Sequence, residues 1–377
     1  MQIESFSYRD GAWSGMPSAM DSSNTLLVVF GGARFLDEPG PIAELHAAFP
    51  QSLLMGCSSA GEISGVEVND DSLSVAAVRF ESSRIRLASA VLDDADRSAE
   101  AGAELARALR DEGLKGVFVL SEGLSVNGTE LVRGINANLA ENVVVTGGLA
   151  GDGARFERTW VIHDGRPVSG RAVAVGFYGD RVQIGHGSKG GWDIFGPQRQ
   201  VTRSEGNVLF ELDGKPALGL YKDYLGELAD ELPASGLRFP LALRDAADAE
   251  RELVRTILAV DEETQSMTFA GDIPQGAYAQ LMRANFDHLV DGAEEAALMT
   301  RAASGDGPML AIAISCVGRR MVLGERTEDE VEATLDIFPE GTHQIGFYSY
   351  GELSPYASGS CDLHNQTMTL TTVRETL

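Results

Sequence analysis

One local pattern recurs three times along the chain and constrains the fold more than any other feature. Each copy contains a β-branched strand, an amphipathic helix, a second strand and a glycine-rich loop that ends in glycine followed by an acid. The copies occupy residues 26–62, 117–152 and 310–352, and their loops end in Gly61-Glu62, Gly151-Asp152 and Gly351-Glu352. A strand, a helix and a second strand within about 30 residues have the size of a βαβ unit with parallel strands. The pattern therefore predicts three related βαβ units.

The helices of the second and third copies carry recognisable signals. Leu131, Ile135 and Leu139 are spaced four residues apart, which places them on one helix face. Thr327, followed three residues later by Glu330, has the spacing of a capping box. The third helix is therefore expected to start at Thr327.

Alternating stretches follow the first two loops. Residues 73–80 with 85–90, and residues 171–178 with 182–186, predict two β-hairpins, so the sheets should be mixed. A chain of 377 residues exceeds the roughly 250 at which a single core usually stops growing. We therefore predict an α/β fold of two domains, with mixed β-sheets built from pseudo-repeated βαβ-plus-hairpin units flanked by helices. The irregular stretch 227–251 is predicted to be a connection.

The charge of the chain restricts its partners. Lys and Arg number 30 against 56 Asp and Glu, giving a net charge of -26. Such a surface repels phosphate backbones and anionic headgroups, so neither nucleic acid nor a membrane is expected as a partner. The first residues lack a secretory signal, and the apolar runs are shorter than the about 20 residues of a membrane helix. We expect a cytoplasmic protein with reduced thiols, since its three cysteines are widely spaced.

Several motifs, taken together and in order, resemble those of the FIST family, named for F-box and intracellular signal transduction. The resemblance runs from about Leu26 to Arg374. It predicts an N-terminal FIST region over residues 1–208 and a C-terminal FIST region over residues 209–377. The motifs are Gly56-Cys57-Ser58-Ser59-Ala60-Gly61-Glu62-Ile63, Gly147-Gly148-Leu149-Ala150-Gly151-Asp152, Gly190-Gly191-Trp192, Phe195-Gly196-Pro197, Val201-Thr202-Arg203-Ser204, Leu212-Asp213-Gly214-Lys215-Pro216-Ala217, Tyr224-Leu225-Gly226, Ser315-Cys316-Val317-Gly318-Arg319, Tyr350-Gly351-Glu352 and His364-Asn365-Gln366-Thr367.

The resemblance implies a sensory protein rather than an enzyme. FIST proteins are regarded as modules that bind small ligands, with amino acids proposed, and they often work beside histidine kinases or cyclic-dinucleotide enzymes. Because the chain shows no output segment of its own, the signal is expected to pass to a separate partner. Some bacterial members bind haem and sense nitric oxide, which makes a haem-based sensor an alternative.

The glycine loops are the first candidates for a ligand site. Their backbone N–H groups are able to form an anion-binding nest, to which Ser58, Ser59 and Glu62 could add side-chain contacts. Glu62, Asp152 and Glu352 occupy equivalent positions and could converge on a cationic group. The competing interpretation is that the glycines only permit tight turns and that the acids bond the loop backbone.

Two further groups of residues are candidates for a pocket or a cofactor. Trp192 and Tyr350 could line a ligand pocket, although aromatic residues are more often part of the core. His186, placed in a predicted glycine-rich loop, is a candidate haem-iron ligand, and Arg203 could bind a propionate. A histidine in such a loop is more often merely exposed.

Cys316 ends an apolar strand and precedes two arginines. Nearby positive charge lowers the pKa of a thiol, so an enzyme that uses Cys316 or Cys57 is a second alternative. Core packing is the more usual role of a buried cysteine. The sequence shows no nucleophile elbow, zincin motif or Cys-x-x-Cys, so we expect no catalytic residue.

Overall fold

The structure is a computed structural model that describes residues 1–246, 253–304, 307–355 and 360–376. Its α-helices are α1 (Gly40–Ala48), α2 (Ser98–Leu109), α3 (Gly128–Asn136), α4 (Ala217–Leu225), α5 (Phe286–Ser304), α6 (Val317–Leu323) and α7 (Thr327–Asp336).

The strands of the described residues form four sheets, each of which is set out below from one edge to the other. Sheet 1 contains β12 (Arg166–Val168), β11 (Val161–His163), β4 (Leu53–Ser58), β3 (Thr25–Gly31), β7 (Leu73–Arg79), β1 (Gln2–Arg9) and β2 (Ala12–Trp13). Sheet 2 contains β27 (Cys361–His364), β26 (Gly351–Pro355), β10 (Val144–Leu149), β9 (Leu114–Ser121), β13 (Arg171–Tyr178) and β8 (Arg84–Val91). Sheet 3 contains β14 (Val182–Lys189), β28 (Met368–Glu375), β24 (Leu310–Cys316), β25 (His343–Ser349), β5 (Glu62–Ser64) and β6 (Glu67–Asn69). Sheet 4 contains β20 (Leu253–Arg255), β19 (Leu241–Arg244), β23 (Tyr278–Arg283), β16 (Arg199–Glu205), β17 (Val208–Leu212), β22 (Ser266–Phe269) and β21 (Ile257–Asp261), with β15 (Asp193–Ile194) on β23 and β18 (Lys215–Pro216) on β17.

Sheets 1, 2 and 3 are each built around one of the three predicted βαβ units. β3 and β4 pair in parallel, as do β9 with β10 and β24 with β25. An antiparallel strand, β7, β13 or β28, lies on the other side of the first strand of each pair. Leu131 and Ile135 are buried on α3, whereas Leu139 lies beyond its last residue. The predicted α/β class with mixed sheets is confirmed.

The strands predicted as hairpins are present, but they pair with other strands. β7 lies in sheet 1 while β8 pairs with β13 in sheet 2, and β14 pairs with β28 in sheet 3. The hairpin pairing is therefore wrong, because alternation identifies a strand with one buried face and does not identify its neighbour. Each strand that follows a glycine loop also joins the sheet of another unit: β5 pairs with β25, β11 with β4 and β26 with β10. The first unit thus adds a strand to sheet 3, the third to sheet 2 and the second to sheet 1, and this cyclic exchange interlocks the three sheets.

The interlocked sheets enclose a common hydrophobic core. Val28, Leu120 and Ile314, from the first strands of the three units, belong to one buried cluster. Phe30 of sheet 1 stacks on Phe347 of sheet 3 with ring centroids 4.6 Å apart. Separate apolar clusters under the helices cover the outer faces of the sheets. Strands buried on both faces require long apolar runs, which explains their continuous β-branched and aromatic sequences.

Sheet 4 is inserted between β14 and α5 and has its own core. That core includes Leu209 and Phe269 and is separate from the cluster shared by the three other sheets. The predicted boundary between residues 208 and 209 falls at the first residues of β17. Sheets 2 and 3 combine strands from both sides of this boundary. The predicted connection 227–251 contains two short 3-10 helices and β19, and its residues 247–251 lie outside the described ranges.

The predicted capping box is not formed. α7 begins at Thr327, but the Thr327 hydroxyl donates a hydrogen bond to the Gly324 carbonyl and does not bond the first turn of the helix. Glu330 points into the protein and pairs with Arg319. The predicted helix start is therefore correct, although Thr327 and Glu330 do not cap the helix.

Candidate functional site

The three glycine–acid loops, at residues 56–62, 146–152 and 346–352, meet one another inside the protein. Each loop donates a backbone N–H to one of the others or accepts one from it. These bonds join Ala60 N to Tyr348 O (2.8 Å), Tyr350 N to Leu149 O (3.1 Å) and Gly151 N to Ser58 O (3.1 Å). The backbone groups expected to form an anion nest are therefore engaged between the loops.

Glu62 and Glu352 make equivalent hydrogen bonds in their loops. The hydroxyl of Ser59 donates to Glu62, and that of Ser349 donates to Glu352 at 2.6 Å. The other oxygen of Glu62 accepts from the N–H and hydroxyl of Ser72, both at 2.8 Å. Burial raises the pKa of Glu62 to about 7 and that of Glu352 to about 8, against the opposing effect of these hydrogen bonds. Both carboxyl groups are bonded within the protein, but through loop hydroxyls and through Ser72 or Thr367 rather than through the loop backbone.

Asp152 is also turned toward the protein. It accepts hydrogen bonds from the N–H groups of Phe156, Glu157 and Arg158 at 2.9–3.0 Å, and from the Tyr350 hydroxyl. Burial alone would raise the pKa of Asp152, but these hydrogen bonds outweigh it and lower the pKa below its usual range. Asp152 therefore fixes both the turn after its own loop and the side chain of Tyr350.

Ser58 is likewise enclosed by the protein. Its hydroxyl accepts a hydrogen bond from the N–H of Trp160 at 3.0 Å, and its side chain is buried. The Ser59 hydroxyl accepts from Gly61 N while it donates to Glu62. These serines thus hold the loops in shape.

Trp192 lies at a pocket of about 450 Å³ between β14, α5 and sheet 4. The end of β14, the residues that follow it and α5 line one part of the pocket, and Val254 and Met282 of sheet 4 line another. The indole N–H of Trp192 donates to the Gln366 carbonyl at 2.7 Å, which fixes the ring. We call this cavity the Trp192 pocket; its lining residues are Ser188, Lys189, Gly190, Gly191, Trp192, Asp193, Val254, Met282, His288, Asp291, Gly292, Glu295, His364 and Thr367.

Charged side chains of both signs line the Trp192 pocket. His288 Nδ1 lies 2.7 Å from an oxygen of Asp193, and this hydrogen bond raises the pKa of His288 above its usual range. Lys189 Nζ lies 3.4 Å from Glu295. Asp291 adds a further acid. The pocket therefore presents three acids beside one lysine and a histidine with an increased tendency to be protonated.

The segment between β14 and β15 approaches α5 too closely for a side chain at Gly191. Gly191 has φ +71°, and a Cβ added there would lie 1.9 Å from the His288 carbonyl oxygen. Only glycine fits this position without moving the backbone. The glycines of the Gly190-Gly191-Trp192 motif therefore allow the strand end and α5 to form adjacent walls of the pocket.

A fully buried ion pair, Arg319 with Glu330, lies next to the segments that line the Trp192 pocket. Arg319 and Glu330 are both 0% exposed, with Arg319 Nη2 2.7 Å from a Glu330 oxygen. The same guanidinium donates to the carbonyls of Gly190, Leu289 (2.8 Å) and Gln366 (3.4 Å). Arg319 therefore ties together three chain segments that border the pocket.

The predicted haem residues lie apart. His186 is in β14 and not in a loop, and burial lowers its pKa. Arg203 is on β16 of sheet 4, more than half exposed, and pairs with Glu211 at 3.0 Å. His186 does not line the Trp192 pocket. The arrangement of these residues does not fit a haem held by His186 and Arg203.

The cysteines are buried in the core. Burial and the nearby Glu352 carboxyl raise the pKa of Cys316 to about 12, although backbone hydrogen bonds act in the opposite direction. The two arginines after Cys316 do not activate it, since Arg319 pairs with Glu330 and Arg320 with Asp70. Burial also raises the pKa of Cys57. These surroundings do not favour a reactive thiol at either position.

Neither a metal cluster nor a membrane-spanning helix occurs among the described residues. In residues 1–246, 253–304, 307–355 and 360–376, His, Cys, Asp and Glu side chains form no group of three suited to hold a metal ion. Over the same ranges, none of the helices has the length and apolar character needed to cross a membrane.

Two family models match the chain, one after the other. The FIST N domain model matches residues 25–215, and the FIST C domain model matches residues 217–355. The chain belongs to the FIST family. A similar curated protein, the uncharacterized protein MJ1623 of Methanocaldococcus jannaschii, is 26% identical over an alignment of 239 residues; the match covers 56% of this chain and 45% of that protein. The match thus spans less than half the length of this relative.

FIST domains are associated with sensing in signal transduction. Both FIST regions contribute to the Trp192 pocket, since residues 188–193 lie in the FIST N match and residues 254–295 in the FIST C match. Sequence reasoning identified Trp192 and missed the charged α5 residues of the same pocket. His288, Asp291 and Glu295 are spaced three and four residues apart, a signal that would have placed them on one helix face.

Proposed function

We propose that this FIST protein is a cytoplasmic sensor that binds a small amino-acid-like molecule in the Trp192 pocket and reports to a separate partner protein. The observation that carries the proposal is the position of the pocket, which has walls from sheets 2 and 3 with α5 and from sheet 4. A molecule that contacts both walls favours one arrangement of sheet 4 relative to the other sheets. A ligand shifts a conformational equilibrium by its difference in affinity for the two states.

The charges of the pocket suit a zwitterion. Asp291 and Glu295 are suited to bind an ammonium group, while Lys189 and protonated His288 are suited to bind a carboxylate. Trp192 offers an apolar surface for the remainder of the molecule. The cavity volume of about 450 Å³ lies within the range of about 300–1,000 Å³ that is usual for small-molecule sites.

The output is proposed to pass through another protein. The family association with signalling supports a histidine kinase or a cyclic-dinucleotide enzyme as that partner. A ligand-dependent shift of sheet 4 would change the surface that such a partner contacts. No catalytic role is assigned to the chain.

The proposal is tested by thermal denaturation of the full chain with each of the common amino acids, followed by titration calorimetry. We expect one chemical class to raise the melting temperature in a concentration-dependent manner, since a ligand at 100 times its dissociation constant adds about 2.7 kcal/mol. Glu295→Gln should weaken binding about tenfold or more because it removes a charge-assisted hydrogen bond.

Glu294→Gln is the matched control. Glu294 is the adjacent exposed residue on α5, carries the same charge and does not line the pocket. Equal effects of the two substitutions, or the absence of binding by every amino acid and by simple primary amines, would contradict the proposal.

A further inference from the structure

A second cavity, of about 390 Å³, lies between sheet 2 and sheet 4. It is separate from the Trp192 pocket, with which it shares no lining residue. Its residues are Ala95, Gly123, Leu124, Val126, Asn127, Gly128, Leu149, Phe156, Asn207, Leu258, Phe269, Ala270, Gly271, Asp272 and Tyr350. We call it the Tyr350 pocket. Its volume falls in the range of small-molecule sites.

Large apolar side chains are exposed at this cavity. Leu124, Phe156 and Leu258 are 38%, 47% and 45% exposed, and all three line the Tyr350 pocket. Leaving such side chains in contact with water forgoes the free energy of burying them. Isolated exposed apolar residues are common, whereas several around one cavity indicate a binding surface.

The aromatic pair at the pocket is held in place by buried groups. The rings of Phe156 and Tyr350 are stacked, with centroids 4.4 Å apart and an interplanar angle of 14°. Asp152 accepts from the N–H of Phe156 at 2.9 Å and also from the hydroxyl of Tyr350. Tyr350 OH additionally lies 3.0 Å from the Gly153 carbonyl. Asp152 is a positioning residue that orients both rings.

The backbone of Phe156 has an unfavourable conformation. Its φ is +55°, in the left-handed region that a bulky residue rarely adopts. The three N–H groups bonded by Asp152, those of Phe156, Glu157 and Arg158, fix this turn. The protein thus holds an aromatic ring at the cavity against its local backbone preference. Strained residues of this kind cluster at ligand sites.

Polar groups also line the same cavity. Asn127 Nδ2 donates to Asp272 at 3.4 Å, a contact between the start of α3 and sheet 4. A carboxylate accepts several hydrogen bonds, so Asp272 has capacity for a donor on a ligand. Asn207 is a further polar side chain of the lining.

We propose that the Tyr350 pocket binds a planar aromatic molecule of one or two rings that carries an N–H donor at its edge. The ring packs against Phe156 and Tyr350, and the N–H donates to Asp272. Aromatic rings prefer offset stacked or edge-to-face contacts with other rings, which a saturated molecule of equal size does not reproduce. This site is independent of the amino-acid-like ligand proposed for the Trp192 pocket.

The test uses indole as the probe and octahydroindole as its saturated counterpart, in saturation-transfer difference spectra and titrations of the full chain. We expect indole to bind and octahydroindole to bind at least several-fold more weakly. Phe156→Ala should weaken indole binding about tenfold, which corresponds to the upper end of an aromatic stacking contribution. Phe156→Tyr should restore it, because the ring is retained.

Phe286→Ala is the matched control. Phe286 is 45% exposed and does not line the Tyr350 pocket, so its substitution should leave indole binding unchanged within about twofold. Circular dichroism and melting curves establish that each variant is folded. Absence of indole binding to the unmodified chain overturns the proposal. It is equally overturned by equal affinities of Phe156→Ala and Phe286→Ala, or by a loss of indole binding in Glu295→Gln, which would assign the probe to the Trp192 pocket.

Discussion

Replacement of Glu330 by glutamine should lower the free energy of unfolding by about 3–5 kcal/mol, the usual cost of removing one partner from a buried ion pair. Arg319 and Glu330 are both 0% exposed. One Glu330 oxygen accepts from Arg319 Nε at 3.0 Å and from Nη2 at 2.7 Å. The other accepts from the hydroxyls of Ser315 and Tyr348 at 2.9 and 2.7 Å.

Glutamine preserves the shape of the side chain but not its hydrogen bonding. The amide has only one oxygen, and its NH₂ group would face either the guanidinium or the two hydroxyls as a second donor. The positive charge of Arg319 would also remain buried without a carboxylate. Because Arg319 bonds the Gly190 and Leu289 carbonyls, the Trp192 pocket should loosen as well.

The assay is urea denaturation at neutral pH, followed by both circular dichroism and tryptophan fluorescence. Asp329→Asn serves as the control, since Asp329 pairs with Arg326 on the surface, where both side chains are more than 40% exposed. Exposed pairs contribute about 0–1 kcal/mol. If Glu330→Gln costs no more than Asp329→Asn, the buried pair does not stabilise the fold and the reasoning is refuted.

Two further predictions concern buried titratable groups. Because the pKa of Glu62 is about 7 and that of Glu352 about 8, against an ordinary value of 4.5, the folded state keeps protons that the unfolded chain has lost. Their contribution to stability is full below about pH 4.5 and is lost as the pH rises through about 8. Urea denaturation at a series of pH values should therefore show the free energy of unfolding falling over this range. The double variant Glu62→Gln, Glu352→Gln should flatten that dependence. An unchanged slope in that double variant would refute this origin. The other prediction concerns the three cysteines, which are buried and whose pKa burial raises: Cys57, Cys316 and Cys361. A thiol reagent should therefore label none of them in the folded protein and all three in denaturant. Rapid labelling of the folded protein would contradict the burial.

The repeated strand–helix–strand units were predictable because their signals are local. Apolar spacing in residues 117–152 and 310–352 reflects contacts that each element makes with its own sheet. The hairpins were mispredicted for a related reason. Residues 73–80 and 85–90 have the alternation of two strands, but β8 obtains its hydrogen bonds from β13 of another sheet. The local sequence of a strand does not determine which sheet its hydrogen-bonded neighbour belongs to.

In the candidate sites too, residues with a local signal were predicted and contacts between distant segments were not. Asp152 was predicted as a ligand contact from its loop position, and Tyr350 as an aromatic residue that lines a pocket; the structure brings both together with Phe156. The role of Asp152 as a positioning residue was not predictable, since its partners depend on the turn that follows its loop. His288 and Glu295 were missed because no motif marks a charged helix face that borders a cavity.

The sequence by itself determined the α/β class, the three βαβ units and the family, because periodicity and motifs are properties of short segments. Only the tertiary structure decided the cyclic exchange of strands, the fully buried pair of Arg319 and Glu330, and the Trp192 and Tyr350 pockets. Those features arise where segments far apart in the chain come into contact. Their free energy depends on packing and desolvation at that contact, which no single segment encodes.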